Sequence, residues 1–266
     1  MAEKFSTKSG REAHSLVEPS FLYGLGLVRR MLEGKEIRHA VYGGAGAQIY
    51  IAAAVAGDEP IDTVDSLSRL TRATSDYDIA IPMDVDDDKL AAAVHAYVRK
   101  YISGDKIFEE ISGDCIFQTR LERDGSRRPV LAISGLNTNE SNECEESKIH
   151  VTFDKDKPHH TEMALSSKTI ELKHSLIGKV AVNVAPIEYI VAGKLGRGNP
   201  KDIADSFRLA SYYPSIDLKA VKTIAERMSE NEKHDKTDFF EYLDSRVNDG
   251  QPLLGFLKRR LDALGL

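Results

Sequence analysis

The stretch AVYGGAGAQIYIAAAVAG, residues 40–57, contains no charged side chain. Its length is close to the roughly 20 apolar residues that cross a bilayer, but its pattern changes at the paired glycines. Residues 39–42 are typical of a short strand, Gly43 and Gly44 mark a turn, and the alanine-rich run Ala45–Val55 is typical of a helix. The stretch therefore predicts a strand, a glycine turn and a helix, and no association with a membrane is expected.

A second motif, RATSDYDIAIP at residues 72–82, predicts the next strand. Successive side chains of a strand alternate, so Asp76 and Asp78 share one face and the apolar side chains face the other way. Two neighbouring carboxylates repel each other, and a divalent cation compensates that repulsion. Mg²⁺ prefers carboxylate and phosphate oxygens, and two such ions can bridge the attacking and leaving oxygens of a phosphoryl transfer. The glycine turn suits the same substrate, because backbone N–H groups at the start of a helix bind phosphate.

A third cluster, PIEYIVAGKLGRGNPKDIAD at residues 186–205, places a lysine in an apolar helix. Between residues 194 and 208 there are four basic and two acidic residues, although the whole chain has a net charge of −6. Lys194 is either a surface lysine whose stem lies along apolar neighbours or a cation directed at a phosphate. Asp202 opens the next helix, where an acid either complements the helix dipole or belongs to a site. Asp205 is expected to be structural.

The composition limits the class of protein. The 266 residues include 36 basic and 42 acidic ones, so any contact with nucleic acid must come from a local patch and not from bulk charge. The two cysteines, Cys115 and Cys144, have no paired spacing, so neither a zinc site nor a disulfide framework is expected. The first residues lack the apolar core of a signal peptide, which predicts a cytoplasmic protein.

Periodicity divides the chain into an α+β part, residues 1–185, and a helical C-terminal part, residues 186–266. His159 and His160 fall in a polar loop between strands and are expected to face solvent. The predicted helices cover residues 16–32, 45–55, 90–101, 186–195, 201–212, 217–230, 236–247 and 252–264. The predicted strands cover residues 39–42, 76–82, 115–121, 130–134, 149–153, 169–172 and 180–184.

The order of the motifs, GG, then RxTxDxD, then PxExxxxxKL and KDxxD, resembles the nucleotidyltransferase superfamily. The resemblance is closest to the AbiEii-type branch, which includes toxins of toxin–antitoxin and phage-abortive systems. It implies a nucleotidyltransferase-like mixed β-sheet flanked by helices, followed by a C-terminal helical bundle that contributes Lys194 and Asp202 to the site.

The resemblance also implies roles for single residues. The glycine pair would hold the nucleotide phosphates, the DxD acids would bind metal, the lysine would contact the triphosphate, and the aspartate of the basic-Asp pair would complete the catalytic site. By position these roles fall on Gly43, Gly44, Asp76, Asp78, Lys194 and Asp202. Further candidates for binding the nucleotide are Arg72, Thr74 and Lys201.

The implied reaction is Mg²⁺-dependent transfer of NMP from an NTP to an acceptor hydroxyl. The acceptor would be tRNA or, as second candidate, a protein side chain, and a cognate antitoxin would be a further partner. The superfamily often has a third acid on a neighbouring strand, for which the chain offers His150, Thr152 and Asp154, and the choice stays open. Two other readings also stay open: a nucleotide-binding or partner-binding protein of the same fold without catalysis, and an ordinary domain in which the DxD is a solvated strand end.

Overall fold

The computed structural model describes residues 13–99, 108–123, 129–140, 143–230 and 253–263. The predicted helix at residues 236–247 lies outside them. The helices are α1 (Pro19–Glu33), α2 (Gly43–Ala56), α3 (Leu67–Leu70), α4 (Asp87–Arg99), α5 (Pro158–Leu165), α6 (Ile187–Arg197), α7 (Pro200–Tyr212), α8 (Leu218–Glu230) and α9 (Leu253–Ala263). The strands are β1 (Ala40–Tyr42), β2 (Asp76–Ala80), β3 (Phe108–Ser112), β4 (Cys115–Arg123), β5 (Pro129–Asn137), β6 (Glu143–Asp154), β7 (Lys168–His174) and β8 (Gly178–Val184).

The described strands form a mixed sheet in the order β3-β4-β5-β6-β2-β1-β8-β7. β2 runs parallel to β6 and β1 runs parallel to β8, whereas the other neighbouring strands are antiparallel. The predicted combination of helices with a mixed sheet is thereby confirmed. The nucleotidyltransferase-like topology and the C-terminal bundle stay predictions.

Helix α2 lies in the interior, which explains why residues 40–57 carry no charge. All its residues from 45 to 52 are buried, and the helix contacts β1 and β2 as well as α6 and α7. A Cβ atom at Gly46 would lie 3.2 Å from the Val41 carbonyl oxygen and 2.9 Å from Ile190. The small residues of α2 thus allow the strand and α6 to approach closely. In the part of the chain that the structure describes, no helix is long and apolar enough to cross a membrane.

The prediction that His159 and His160 face solvent is wrong. Helix α5 begins at Pro158, and both histidines are buried together with Met163 and Ala164. The proline suits the first turn of a helix, where no N–H donor is needed. The helix is short and contains few apolar residues, so its sequence does not produce a helical periodicity that could be recognised.

Strand β6 begins at Glu143 and not at residue 149 as predicted. Its first half is polar and has low intrinsic strand propensity. That half nevertheless pairs with β5 from Leu136↔Glu143 onward, with an irregularity between Ile133 and Gly135. Cross-strand pairing therefore outweighs local propensity there.

Candidate functional site

The glycine turn and the acidic strand lie against each other. Tyr42 of β1 pairs with Asp78 of β2, and Gly43 follows with a φ of +62°. A Cβ atom at Gly43 would collide with the Asp78 carboxylate, and one at Gly44 would lie 3.0 Å from the Thr74 hydroxyl. Two motifs that are distant in sequence therefore meet at one point, and glycine is required there by both the backbone angle and the space.

A third carboxylate reaches the same place from β6. The parallel register pairs Asp76 with His150, Asp78 with Thr152, and Ala80 with Asp154. Tyr42 lies on β1, which is the neighbour of β2 on the side away from β6. Its hydroxyl donates a hydrogen bond to the Asp154 carboxylate. Asp154 is therefore the candidate for a third acid that approaches the glycine turn, whereas His150 lies opposite the other end of the acidic pair.

The electrostatics of the three carboxylates centre on Asp78. The pKa of Asp78 is raised to about 6, first by burial and then by the charges of Asp154 and Asp76, while Arg197 and Lys194 partly oppose the rise. Burial and the charges of Asp78 and Asp154 likewise raise the pKa of Tyr42. Near neutral pH the site therefore holds closely spaced negative charge at a cost in free energy, which a bound cation would relieve.

The donor set is chemically suited to Mg²⁺, which accepts carboxylate oxygens and retains positions for water and phosphate. Among the described residues, no three His, Cys, Asp or Glu side chains are arranged to hold a metal ion by themselves. A metal at Asp76 and Asp78 would thus need oxygen ligands from a substrate or from water. This is the usual situation for Mg²⁺ in phosphate chemistry.

A cavity of about 240 Å³ is lined by Asp154 and by Gly43 of the glycine turn. It is smaller than the about 300–1,000 Å³ of typical ligand pockets, so it would enclose part of a larger ligand. Its polar wall includes Gly43, Asp154, Lys157 and Arg197, and its apolar wall includes Tyr189, Ile190 and Met228.

Lys194 is not a surface lysine, because only 1% of it is exposed. Its Nζ lies 2.6 Å from a carboxylate oxygen of Asp205 and 3.5 Å from one of Asp202. Asp205 also contacts Arg208 at 3.2 Å and Arg72 at 3.5 Å. Lys194 therefore joins α6 to α7 within a network of ion pairs. It also borders the cavity, and its charge acts on Asp78.

Asp202 has a similar setting at the start of α7. Arg197 donates two hydrogen bonds to it, from Nε at 2.9 Å and from Nη2 at 3.1 Å. The Asn199 amide donates a third at 2.6 Å, and the Asn199 side-chain oxygen caps α7 by accepting from the backbone N–H of Asp202. Burial by itself would raise the pKa of Asp202, but Arg197 and then Lys194 lower it below its ordinary value. Asp202 is thus held ionised by its neighbours.

The structure therefore brings together only some of the residues with predicted roles. Gly43, Gly44, Thr74, Asp76 and Asp78 form one cluster. Lys194, Asp202 and Arg72 belong to the adjoining ion-pair network, and Lys201 is exposed in the first turn of α7.

Two residues of the site, Arg197 and Tyr42, were not predicted from the sequence. Arg197 is a basic residue in the last turn of α6, one turn after Lys194, and that spacing was a usable signal. Tyr42 directly precedes the glycine pair, but its bond to Asp154 depends on strand order, which no local pattern reveals.

No protein-family model and no curated protein matches the chain.

Proposed function

We propose that the protein is a metal-dependent nucleotidyltransferase that transfers NMP from an NTP to an acceptor hydroxyl and releases pyrophosphate. The observation that carries this proposal is the contact of the Gly43 turn with Asp78, beside Asp76 and Asp154. A phosphate-binding helix start and a carboxylate cluster that favours a cation are the two parts that such a reaction needs.

The start of α2 supports the phosphate half of the proposal. Tyr42, the N-cap residue, makes no side-chain capping hydrogen bond to this helix, so the first backbone N–H groups keep their capacity for a bound anion. Gly43 lines the cavity, and because it has no side chain a phosphate can approach the backbone of the turn. The nucleotide phosphates would therefore bind at Gly43 and Gly44, with Thr74 beside them.

The carboxylates support the metal half. Asp76 and Asp78 would hold Mg²⁺, which when bound would neutralise charge on the phosphates and on the attacking oxygen. The acceptor oxygen forms a bond to the α-phosphorus, and the bond from that phosphorus to the oxygen of pyrophosphate breaks. Asp154, which lines the cavity, would accept the proton of the acceptor hydroxyl.

The acceptor and the biological role follow from the resemblance described above. A tRNA terminus or a protein hydroxyl would be the acceptor, and the protein would act as the toxin of a toxin–antitoxin or abortive-infection system. Growth arrest upon expression, relieved by Asp78→Asn, would support this role over that of a housekeeping enzyme.

Transfer of label from each of the four NTPs, with Mg²⁺, to total tRNA and to cell protein tests the reaction. Wild type should label one acceptor pool, and Asp78→Asn should reduce labelling to background. The matched control is Asp84→Asn, an exposed acid outside the site, which should label as wild type does.

Labelling that survives in Asp78→Asn would contradict the metal role. Mg²⁺-dependent binding of an NTP without transfer to either pool would favour the alternative of a nucleotide-binding protein that lacks catalysis.

A further inference from the structure

The two cations of α6, Lys194 and Arg197, lie one helical turn apart in different surroundings. The Lys194 side chain is 1% exposed and its nitrogen is bonded to two buried carboxylates. Lys194 also borders the cavity. If its nitrogen turned to a ligand there, it would leave those carboxylates without their central counter-charge. An uncompensated buried charge is strongly unfavourable, so Lys194 is held where it is.

Arg197 is far more exposed than Lys194. Its side chain is 53% exposed, it lines the cavity together with Gly43 and Asp154, and its charge acts on Asp78. Its guanidinium has five N–H donors, and the two hydrogen bonds to Asp202 use one on Nε and one on Nη2. Within the described part of the chain, Nη1 makes no hydrogen bond. One edge of the guanidinium is thus fixed by a carboxylate, and the remaining donors are available to a ligand.

The network as a whole is short of negative charge. Its cations are Arg72, Lys194, Arg197 and Arg208, and its anions are Asp202 and Asp205. Arg197 is the half-exposed cation of this network on the cavity wall, so the excess positive charge reaches the cavity there. An anionic ligand in the cavity would therefore meet Arg197 on the wall beside Gly43, in addition to Lys157.

We infer that Arg197, and not Lys194, is the cation that binds the nucleotide phosphates, and that Asp202 is the positioning residue that orients it. This inference rests on the proposed function, and it departs from the role that the family resemblance gives to Lys194. A guanidinium fixed along one edge presents its other donors in a plane that matches two phosphate oxygens. Lys194 has a different task, which is to join α6 to α7 through its two buried carboxylate partners.

Equilibrium dialysis with labelled NTP and Mg²⁺ tests the assignment on the full chain, with the NTP that wild type binds most tightly. Arg197→Gln should weaken binding at least about tenfold, because charge-assisted hydrogen bonds to phosphate are lost. The matched control is Arg208→Gln, which removes an arginine whose guanidinium faces Asp205 instead of the cavity. It should bind within about twofold of wild type, as expected for a partly exposed ion pair.

A double-mutant cycle tests the positioning role of Asp202. Asp202→Asn should weaken nucleotide binding in the wild-type background, because the guanidinium loses the carboxylate that orients it. In the Arg197→Gln background the same change should leave binding unaltered. A residue with only a structural role would lower the affinity equally in both backgrounds, and that result would overturn the positioning role.

The other outcomes separate the inference from the proposed function. Wild-type affinity in Arg197→Gln would overturn the assignment and leave the proposed reaction intact. Loss of binding in a folded Lys194→Met variant, with Arg197→Gln unaffected, would return the phosphate contact to the lysine. If wild type binds none of the four NTPs, both the assignment and the proposed function are wrong.

Discussion

Asp78 makes the stability of the protein depend on pH in a defined direction. Its folded-state pKa of about 6 lies above its ordinary value of 3.8, so the folded chain binds this proton more tightly than the unfolded chain. The free energy of unfolding should therefore fall as pH rises from about 4 to about 6 and stay at its lower value above that.

Urea unfolding across this pH range, followed by circular dichroism, checks the effect of Asp78. Asp78→Asn removes the ionisable group, so the difference in stability between the variant and wild type should grow in favour of the variant as pH rises. Other titrating groups are shared by both proteins and cancel in that difference. A difference that does not change with pH would show that neither burial nor the neighbouring carboxylates raise the pKa of Asp78 in the folded protein.

Gly43 should be intolerant of any side chain, for two separable reasons. Gly198 has the same φ of +62°, but a Cβ atom there would meet only the Leu195 carbonyl oxygen at an ordinary 3.5 Å. Gly198→Ala should therefore lower the free energy of unfolding by about 1 kcal/mol through backbone strain alone. Gly43→Ala should cost at least about 1 kcal/mol more, because its methyl group collides with Asp78. Equal losses in the two variants, measured by urea unfolding, would mean that Asp78 moves aside freely.

Only some residues of the site can be predicted from the sequence. The shared face of Asp76 and Asp78 can be predicted, because alternation is a property of any strand. The contribution of Asp154 cannot, because it depends on which residue of β6 lies beside β2, and strand register is set by tertiary pairing. The burial of Lys194 cannot be predicted either, because the sequence pattern of a lysine in an apolar helix is the same whether its nitrogen contacts water or two carboxylates.

Among the helices, α6 and α7 are joined by buried ion pairs from Lys194 to Asp202 and Asp205. Lys194→Met removes the central cation and leaves Asp205 and Asp202 buried with fewer partners. Such a break of a buried ion pair should cost about 3–5 kcal/mol. Arg208→Gln removes a partly exposed partner of the same Asp205 and should cost about 0–1 kcal/mol.

Urea midpoints of Lys194→Met and Arg208→Gln, compared with wild type, check the joint. Similar small losses in both variants would indicate that solvent reaches Lys194 and that α6 and α7 are joined by apolar contacts instead. The comparison is independent of nucleotide, so it bears on the structural role of Lys194 whatever the protein binds.

Elements with strong periodicity are predictable from this sequence, and those formed by pairing or by a few contacts are not. Helices α6, α7 and α8 lie close to their predicted ranges because apolar residues recur at helical spacing. Helix α2 does so because its run is rich in alanine and follows the glycine pair. Helix α5 and the first half of β6 lack such a pattern and owe their structure to packing beneath Tyr42 and to pairing with β5. The failure to predict α5 matters for the candidate site, because this helix forms part of the cavity wall.

At the scale of the whole molecule, the contacts of α2 bear on the predicted division at residue 185. The Tyr213 hydroxyl donates to the Tyr50 carbonyl oxygen at 2.9 Å, and the Tyr50 hydroxyl donates to the Ala185 carbonyl oxygen at 3.0 Å. One hydrophobic cluster extends from Leu16 to Leu257 and includes residues on both sides of that boundary. Removal of the C-terminal part would therefore expose the side of α2 that packs against α6 and α7.

We accordingly expect the full chain to unfold in a single transition and the fragment 1–185 to lack a cooperative one. Backbone circular dichroism and near-ultraviolet tyrosine signals of the full chain should give coincident urea curves, as two-state unfolding requires. The chain has ten tyrosines and no tryptophan, so the second signal reports on side chains such as Tyr50 that lie between the two parts. If the fragment unfolds cooperatively at one of two midpoints seen in the full chain, the parts are independent domains. In that case Arg197 and Asp78 would belong to separately folding units, and the site between them would assemble only when those units dock.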